Sequence, residues 1–114
     1  MSSRSFLRLE TKGRRSGLPH IVQLRYAWLD GRYFVLGSNG GSDWSRNALA
    51  ATTATVRLGD FLVDVEVSKA GDAQKEATLE AFAGKYGARL VRQWYPEDGT
   101  CLCLQPTGPA VRRG

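Results

Sequence analysis

The stretch HIVQLRYAWLDGRYFVLG, residues 20–37, decides the fold. Its even positions Val22, Leu24, Tyr26 and Trp28 form an apolar face, separated by Gln23, Arg25 and Ala27. That period of two is the signature of a half-buried strand. Asp30-Gly31 then supplies the two residues of a tight hairpin turn. Beyond it Tyr33, Phe34, Val35 and Leu36 run without polar interruption, which predicts a central strand buried on both faces.

The same alternation extends in both directions. Upstream, Leu7, Leu9 and Thr11 alternate with Arg8, Glu10 and Lys12, predicting another half-buried strand. Downstream, Ser38-Asn39-Gly40-Gly41 is a turn, and Ser42-Asp43 is an N-cap pair for a short helix over about residues 44–51. Residues 53–58 and 61–67 make a second hairpin about Gly59-Asp60, with Phe61, Val63, Val65 and Val67 on one face. Gly71-Asp72 opens a helix in which Leu79, Phe82, Ala83 and Tyr86 fall at i, i+3, i+4 and i+7. Residues 88–95 read as a second short helix, 96–99 as a turn and 100–105 as a last strand. Near-absence of strand–helix–strand units argues against a doubly wound sheet. The expected fold is mainly β (α+β): a small barrel of about six antiparallel strands with two or three helices.

With 114 residues the chain is expected to form one domain, its ends (1–4 and 108–114) loose. No apolar run approaches the roughly 20 residues that span a bilayer, and no signal-peptide core precedes the first strand, so a cytoplasmic location is expected. The net charge of +5 favours an anionic partner. Arg4, Arg8, Lys12, Arg14 and Arg15 cluster near the N-terminus, whereas Arg112 and Arg113 read as a solvated tail. Cys101 and Cys103, two apart on a strand, share a face and read as buried thiols. With His20, the single histidine, they fall short of the four ligands that a structural zinc needs, so no metal is expected. Three tryptophans and four tyrosines offer more apolar surface than one small core holds, which points to a homodimer.

Two segments carry more chemistry than a loop needs. Thr11-Lys12-Gly13-Arg14-Arg15-Ser16-Gly17 carries three cations and a hydroxyl, with two glycines that let a ligand approach the backbone. Arginine's planar fork suits phosphate, although a solvated basic turn has the same composition. Ser38-Asn39-Gly40-Gly41-Ser42-Asp43-Trp44 leads from a buried strand into a helix start, where free amides and the helix dipole favour an anion. Both follow strands of one sheet and can converge. There is no Ser-His-Asp grouping or closely spaced carboxylate pair. In an enzyme, then, the reactive atoms would belong to a cofactor.

At these segments the chain resembles the deazaflavin-dependent nitroreductase family. The resemblance is carried by Thr11, Gly13-Arg14-Arg15-Ser16-Gly17, Pro19 and Leu24-Arg25-Tyr26, then by Ser38-Asn39-Gly40-Gly41 and Trp44-Ser45-Arg46-Asn47. It covers about residues 6–67 and weakens beyond. It implies a split β-barrel related to proteins that bind flavin mononucleotide (FMN), with coenzyme F-420, a phosphate-bearing deazaflavin with an acidic tail, as cofactor and FMN as the alternative. By that likeness Arg14, Arg15 and Ser16 hold the phosphate or tail. Ser38, Asn39, Gly40 and Gly41 lie against the ring, and Trp44 and Asn47 close the pocket. The implied activity is hydride transfer to a quinone, enone or nitroaromatic acceptor, with Tyr26, Trp44, Tyr86, Trp94 and Tyr95 as candidates to flank it. The chain departs from the family pattern in its short Gly41–Trp44 connection and in Asn39, where some relatives carry Lys. A cofactor-binding module without turnover, for a flavin, deazaflavin or haem, is the alternative of another class. Nucleic-acid binding by a basic barrel is a third, and core positions for Tyr26, Trp28, Tyr33 and Phe34 count against it.

Overall fold

The computed structural model describes residues 6–12, 17–37, 43–95 and 100–112. Seven strands, β1 (Phe6–Lys12), β2 (Pro19–Leu29), β3 (Arg32–Gly37), β4 (Thr53–Leu58), β5 (Phe61–Lys69), β6 (Thr100–Pro106) and β7 (Val111–Arg112), alternate with three helices, α1 (Asp43–Ala51), α2 (Asp72–Tyr86) and α3 (Ala88–Trp94). The sheet order β4-β1-β2-β3-β6-β5 closes on itself through β4–β5 pairing, so six antiparallel strands form a barrel. The fold is the small antiparallel barrel expected from the alternation, of the split-barrel kind that the resemblance implies.

Turn chemistry sets the registers. Asp30 and Gly31 both adopt positive φ (51° and 75°), the mirror-image turn that matches strand twist, and pair Leu29 with Arg32. Gly59 takes φ 58° in the second hairpin, which joins Leu58 to Phe61. Thr52 ends α1 in the left-handed region (φ 63°), its amide donating to the Ala48 carbonyl at 3.0 Å.

Two cores follow from the two faces of the sheet. Leu7, Leu9, Tyr33, Val35, Val56, Val63, Val65, Val67, Leu102 and Leu104 fill the barrel, and Ala48 of α1 plugs it. On the outer face Phe34, Leu36, Ala27, Cys101 and Cys103 pack against Phe82 of α2 and Val91 of α3. β3 therefore feeds both cores, as its uninterrupted apolar run predicted, and the two cysteines are free and buried.

Three sequence expectations are corrected. Trp28 is not core: it lies at the barrel rim, 53% exposed, with its ring 4.6 Å from that of Tyr33. Phe61, first residue after the hairpin turn, is also exposed. The tail is not wholly loose, because Val111 and Arg112 pair with Leu62 and Phe61 as β7. The expected N-cap Ser42, the turn at 96–99, Arg4 and Arg113 lie outside the described residues.

The split is visible in the pairing of β2. β1 pairs with residues 19–25 of β2. β3 pairs only with residues 26–29. β3 parts from β2 after Val35 and runs on to Gly37 paired with β6 alone among the described strands.

Candidate functional site

β1 and β3 are both antiparallel to β2, so they run in the same direction and their C-terminal ends lie at one end of the barrel. The basic segment follows Lys12, and the glycine-rich segment follows Gly37. α1, nine residues and so about 14 Å long, leads from the second segment back to β4. Arg14, Arg15, Ser16, Ser38, Asn39, Gly40 and Gly41 themselves lie outside the described residues.

Lys12 and Pro19, which flank the basic segment, both line a cleft of about 790 Å³. That volume lies within the range of cofactor pockets. Thr11, Thr53, Thr55 and Thr107 also line it, with Glu10, Asp64 and Ala51. The two carboxylates are engaged locally: Glu10 is ion-paired with Arg57, and Asp64 accepts a hydrogen bond from the Thr55 hydroxyl at 3.2 Å. The Thr107 amide and hydroxyl both donate to the Asp64 carbonyl, at 2.9 and 3.2 Å, and tie residue 107 to β5. The cleft therefore offers hydroxyl groups along its walls and a cation where the basic segment begins.

Of the predicted site residues inside the described chain, Trp44 is half-buried and packs against the barrel core, and Asn47 is buried. They lie one turn apart on α1, and neither lines the Lys12–Pro19 cleft. The aromatic candidates are elsewhere. Tyr86 and Tyr95 meet Phe82 edge to face, and Trp94 meets Tyr86 and Tyr95 in the same way, with centroids 5.4–6.3 Å apart, on the helical side of the sheet. Arg25 lies 3.8 Å from the centroid of the Trp94 ring and also contacts Phe6 and Tyr86. Lys85 sits over Tyr26 at 4.4 Å and donates to the Tyr26 carbonyl, and partial burial lowers its pKa. These rings thus hold α2 and α3 to β2. None of them lines the Lys12–Pro19 cleft.

Sequence reasoning missed the threonine lining. Its signal was present in Thr53 and Thr55, which alternate on β4, but only barrel closure brings them beside Thr11 and Thr107. Both cysteine thiols are buried, and that burial raises their pKa, the reverse of an activated nucleophile. Among the described residues no group of histidine, cysteine or acidic side chains is arranged to hold a metal ion, and no helix is long and apolar enough to cross a membrane.

The chain matches the family described as F420H(2)-dependent quinone reductase over residues 2–96, a span that includes both unusual segments. No curated protein matches it in sequence. Among solved structures it is similar to the heme storage protein HutZ from Vibrio cholerae, with a TM-score of 0.80 and 17% identity over 96% of this chain and 86% of that one. It is similar to an F420-H2 dependent reductase (FDR-A), with a TM-score of 0.72 and 20% identity over 90% and 95% of the two chains. A third, described as a domain-swapped dimer, gives a TM-score of 0.74 and 20% identity over 91% and 82%. At these identities the structural likenesses establish the split-barrel fold.

Proposed function

The chain belongs to the F420H(2)-dependent quinone reductase family, and from that premise we propose that it binds coenzyme F420 and transfers hydride from the reduced cofactor to a quinone, enone or nitroaromatic acceptor. The observation that carries this reading is the position of the cleft. Lys12 and Pro19, the residues flanking Arg14, Arg15 and Ser16, line it, and its volume suits a cofactor of this size.

The residues fit the cofactor's chemistry part by part. Lys12, Arg14, Arg15 and Ser16 hold the phosphate and acidic tail, where paired N–H donors and positive charge match phosphate oxygens. Thr11, Thr53, Thr55 and Thr107 offer hydroxyl partners to the polyhydroxylated chain between phosphate and ring. Ser38, Asn39, Gly40 and Gly41 let the backbone lie against the ring, and Trp44, packed on the barrel core, with buried Asn47 anchors the α1 that follows them. Reduced deazaflavin, when bound, supplies the hydride. The protein contributes orientation and exclusion of water. It acts as a homodimer, which covers exposed apolar residues such as Leu18 and Ile21.

The test is turnover. Purified protein is mixed with reduced coenzyme F420 and a panel of quinones, enones and nitroaromatics, and reappearance of oxidised-cofactor fluorescence is followed. Acceptor-dependent oxidation, abolished in the Arg14→Ala/Arg15→Ala variant, supports the reductase. Tight binding without oxidation across the panel would make the chain a cofactor-carrying module. Preference for FMN in a parallel titration would keep the site and change its cofactor.

A further inference from the structure

We propose that Arg8, Gln23 and Arg57 form a binding site for a small carboxylate carried on an apolar body, on the outer face of the barrel and apart from the Lys12–Pro19 cleft. The site follows from strand register and does not depend on the identity of the cofactor.

β1 lies between β2 and β4, and Arg8 stands opposite Gln23 on one side and Arg57 on the other. Directly opposed residues share a face of the sheet. Leu7, Leu9 and Val56 take the interior, so the three polar side chains form a row across the outside. Beside the row is a cavity of about 300 Å³, lined by these three residues together with Phe6, Gly59 and Asp60.

The row is short of acceptors. Like charges directly opposed on neighbouring strands repel, yet Arg8 and Arg57 face each other. Glu10 ion-pairs with Arg57. Among the described residues Arg8 and Gln23 make no hydrogen bond or ion pair. The Nε of Arg57 is buried without an acceptor. Buried donors are rarely left unmet. The register thus gathers a free guanidinium, a free side-chain amide and an unmet N–H around one cavity.

Charge and shape select the ligand. Arg8, Arg57 and Arg25, the last 5.3 Å from the centroid of the Phe6 ring, stand against Glu10 and Asp60, an excess of one cation. A monoanion matches that excess, whereas a phosphate dianion meets two carboxylates. A carboxylate also presents two oxygens to the fork of a guanidinium. Phe6, 42% exposed, supplies an apolar wall for the rest of the molecule. The cavity falls at the low end of ligand pockets, roughly 300–1,000 Å³, which suits a single ring. Lys12, at the cofactor cleft, lies about 13 Å from Arg8 along β1. Glu10 stands between them on the same face, so an extended anion passing from one to the other would cross a carboxylate.

The test follows the arginine side-chain Nε–Hε resonances of the labelled full chain at mildly alkaline pH and constant ionic strength, titrated in turn with benzoate, acetate and inorganic phosphate. Benzoate should shift Arg8 and Arg57 saturably and bind roughly 10-fold more tightly than either acetate or phosphate. Arg8→Gln, an exposed substitution, should weaken benzoate by about 10-fold or more with circular dichroism unchanged. Phe6→Ala should remove the preference for benzoate over acetate. Coenzyme F420 should bind Arg8→Gln as it binds the native chain. Shifts that grow linearly without saturation would overturn the proposal, and so would saturation that Arg8→Gln leaves intact. Phosphate binding as tightly as benzoate would overturn the carboxylate assignment. Weaker binding of coenzyme F420 to Arg8→Gln would overturn the separation of the two sites. Failure of the native chain to bind coenzyme F420 would count against the cofactor reading alone, since the benzoate titration requires no cofactor.

Discussion

Cys101 and Cys103 show how burial fixes chemistry at a single residue. Both thiols lie against Phe82 and Val91, and desolvation, the largest effect on each, raises their pKa above the usual 9.0. Hydrogen bonding of the Cys101 thiol to the Thr78 hydroxyl at 3.8 Å works in the opposite direction and is outweighed. The folded state therefore keeps protons that the unfolded chain begins to release near that value. Stability from this source is full below about pH 9 and declines as pH rises through the folded values. Urea midpoints should fall between about pH 8 and about pH 10, less so in the Cys101→Ala/Cys103→Ala variant measured against its own reference. Alkylation of native protein at neutral pH should track global unfolding; rapid modification would contradict the burial. Arg25 offers a second residue-scale prediction. Arg25→Met keeps much of the stem but removes the charge from Trp94, and should cost about 1 kcal/mol in urea unfolding. An unchanged midpoint would mean that the stack contributes nothing.

At the scale of elements, strand faces were legible in the sequence because a period of two assigns each side chain to a side. Depth was not. Trp28 has the parity of the barrel interior, yet it sits at the open rim, where that face meets solvent at 53% exposure. Phe61 misleads for the same reason at a hairpin end. β7 has only two residues, too few to show any period, and its pairing with β5 is a purely tertiary event. The helical pair makes two glycine predictions of opposite sign. Gly84 lies inside α2 with nothing within 4 Å of an added Cβ, so Gly84→Ala should stabilise by about 0.5–1 kcal/mol. Gly87 separates α2 from α3 at φ 98°, a conformation that side chains rarely adopt. Gly87→Ala meets no neighbour either, so its cost is backbone strain alone, about 1–2 kcal/mol. Thermal midpoints moving in opposite directions would confirm the pair; a shared direction would contradict the junction as drawn.

Across the whole molecule, the site was legible only in part. The two unusual segments stand out in the chain because glycine, arginine and serine are concentrated there, and the strands that precede them, β1 and β3, end toward one end of the barrel. The cleft itself was not legible. Its threonines come from β1, β4 and the segment after β6, and they meet only because β1–β4 and β4–β5 pairing closes the sheet. Of the aromatic residues offered by the sequence as substrate neighbours, Trp44 packs against the barrel core, and Tyr26, Tyr86, Trp94 and Tyr95 fasten helices to β2, chiefly through Arg25 and Lys85. The most direct measurement is a fluorescence titration of the purified chain with oxidised coenzyme F420, alongside the Arg14→Ala/Arg15→Ala variant. The account predicts saturable binding to the native chain and a loss of about 100-fold or more in the variant, on the order of 3 kcal/mol for two charge-assisted contacts. Absence of binding by the native chain, or binding that the variant retains in full, would contradict it.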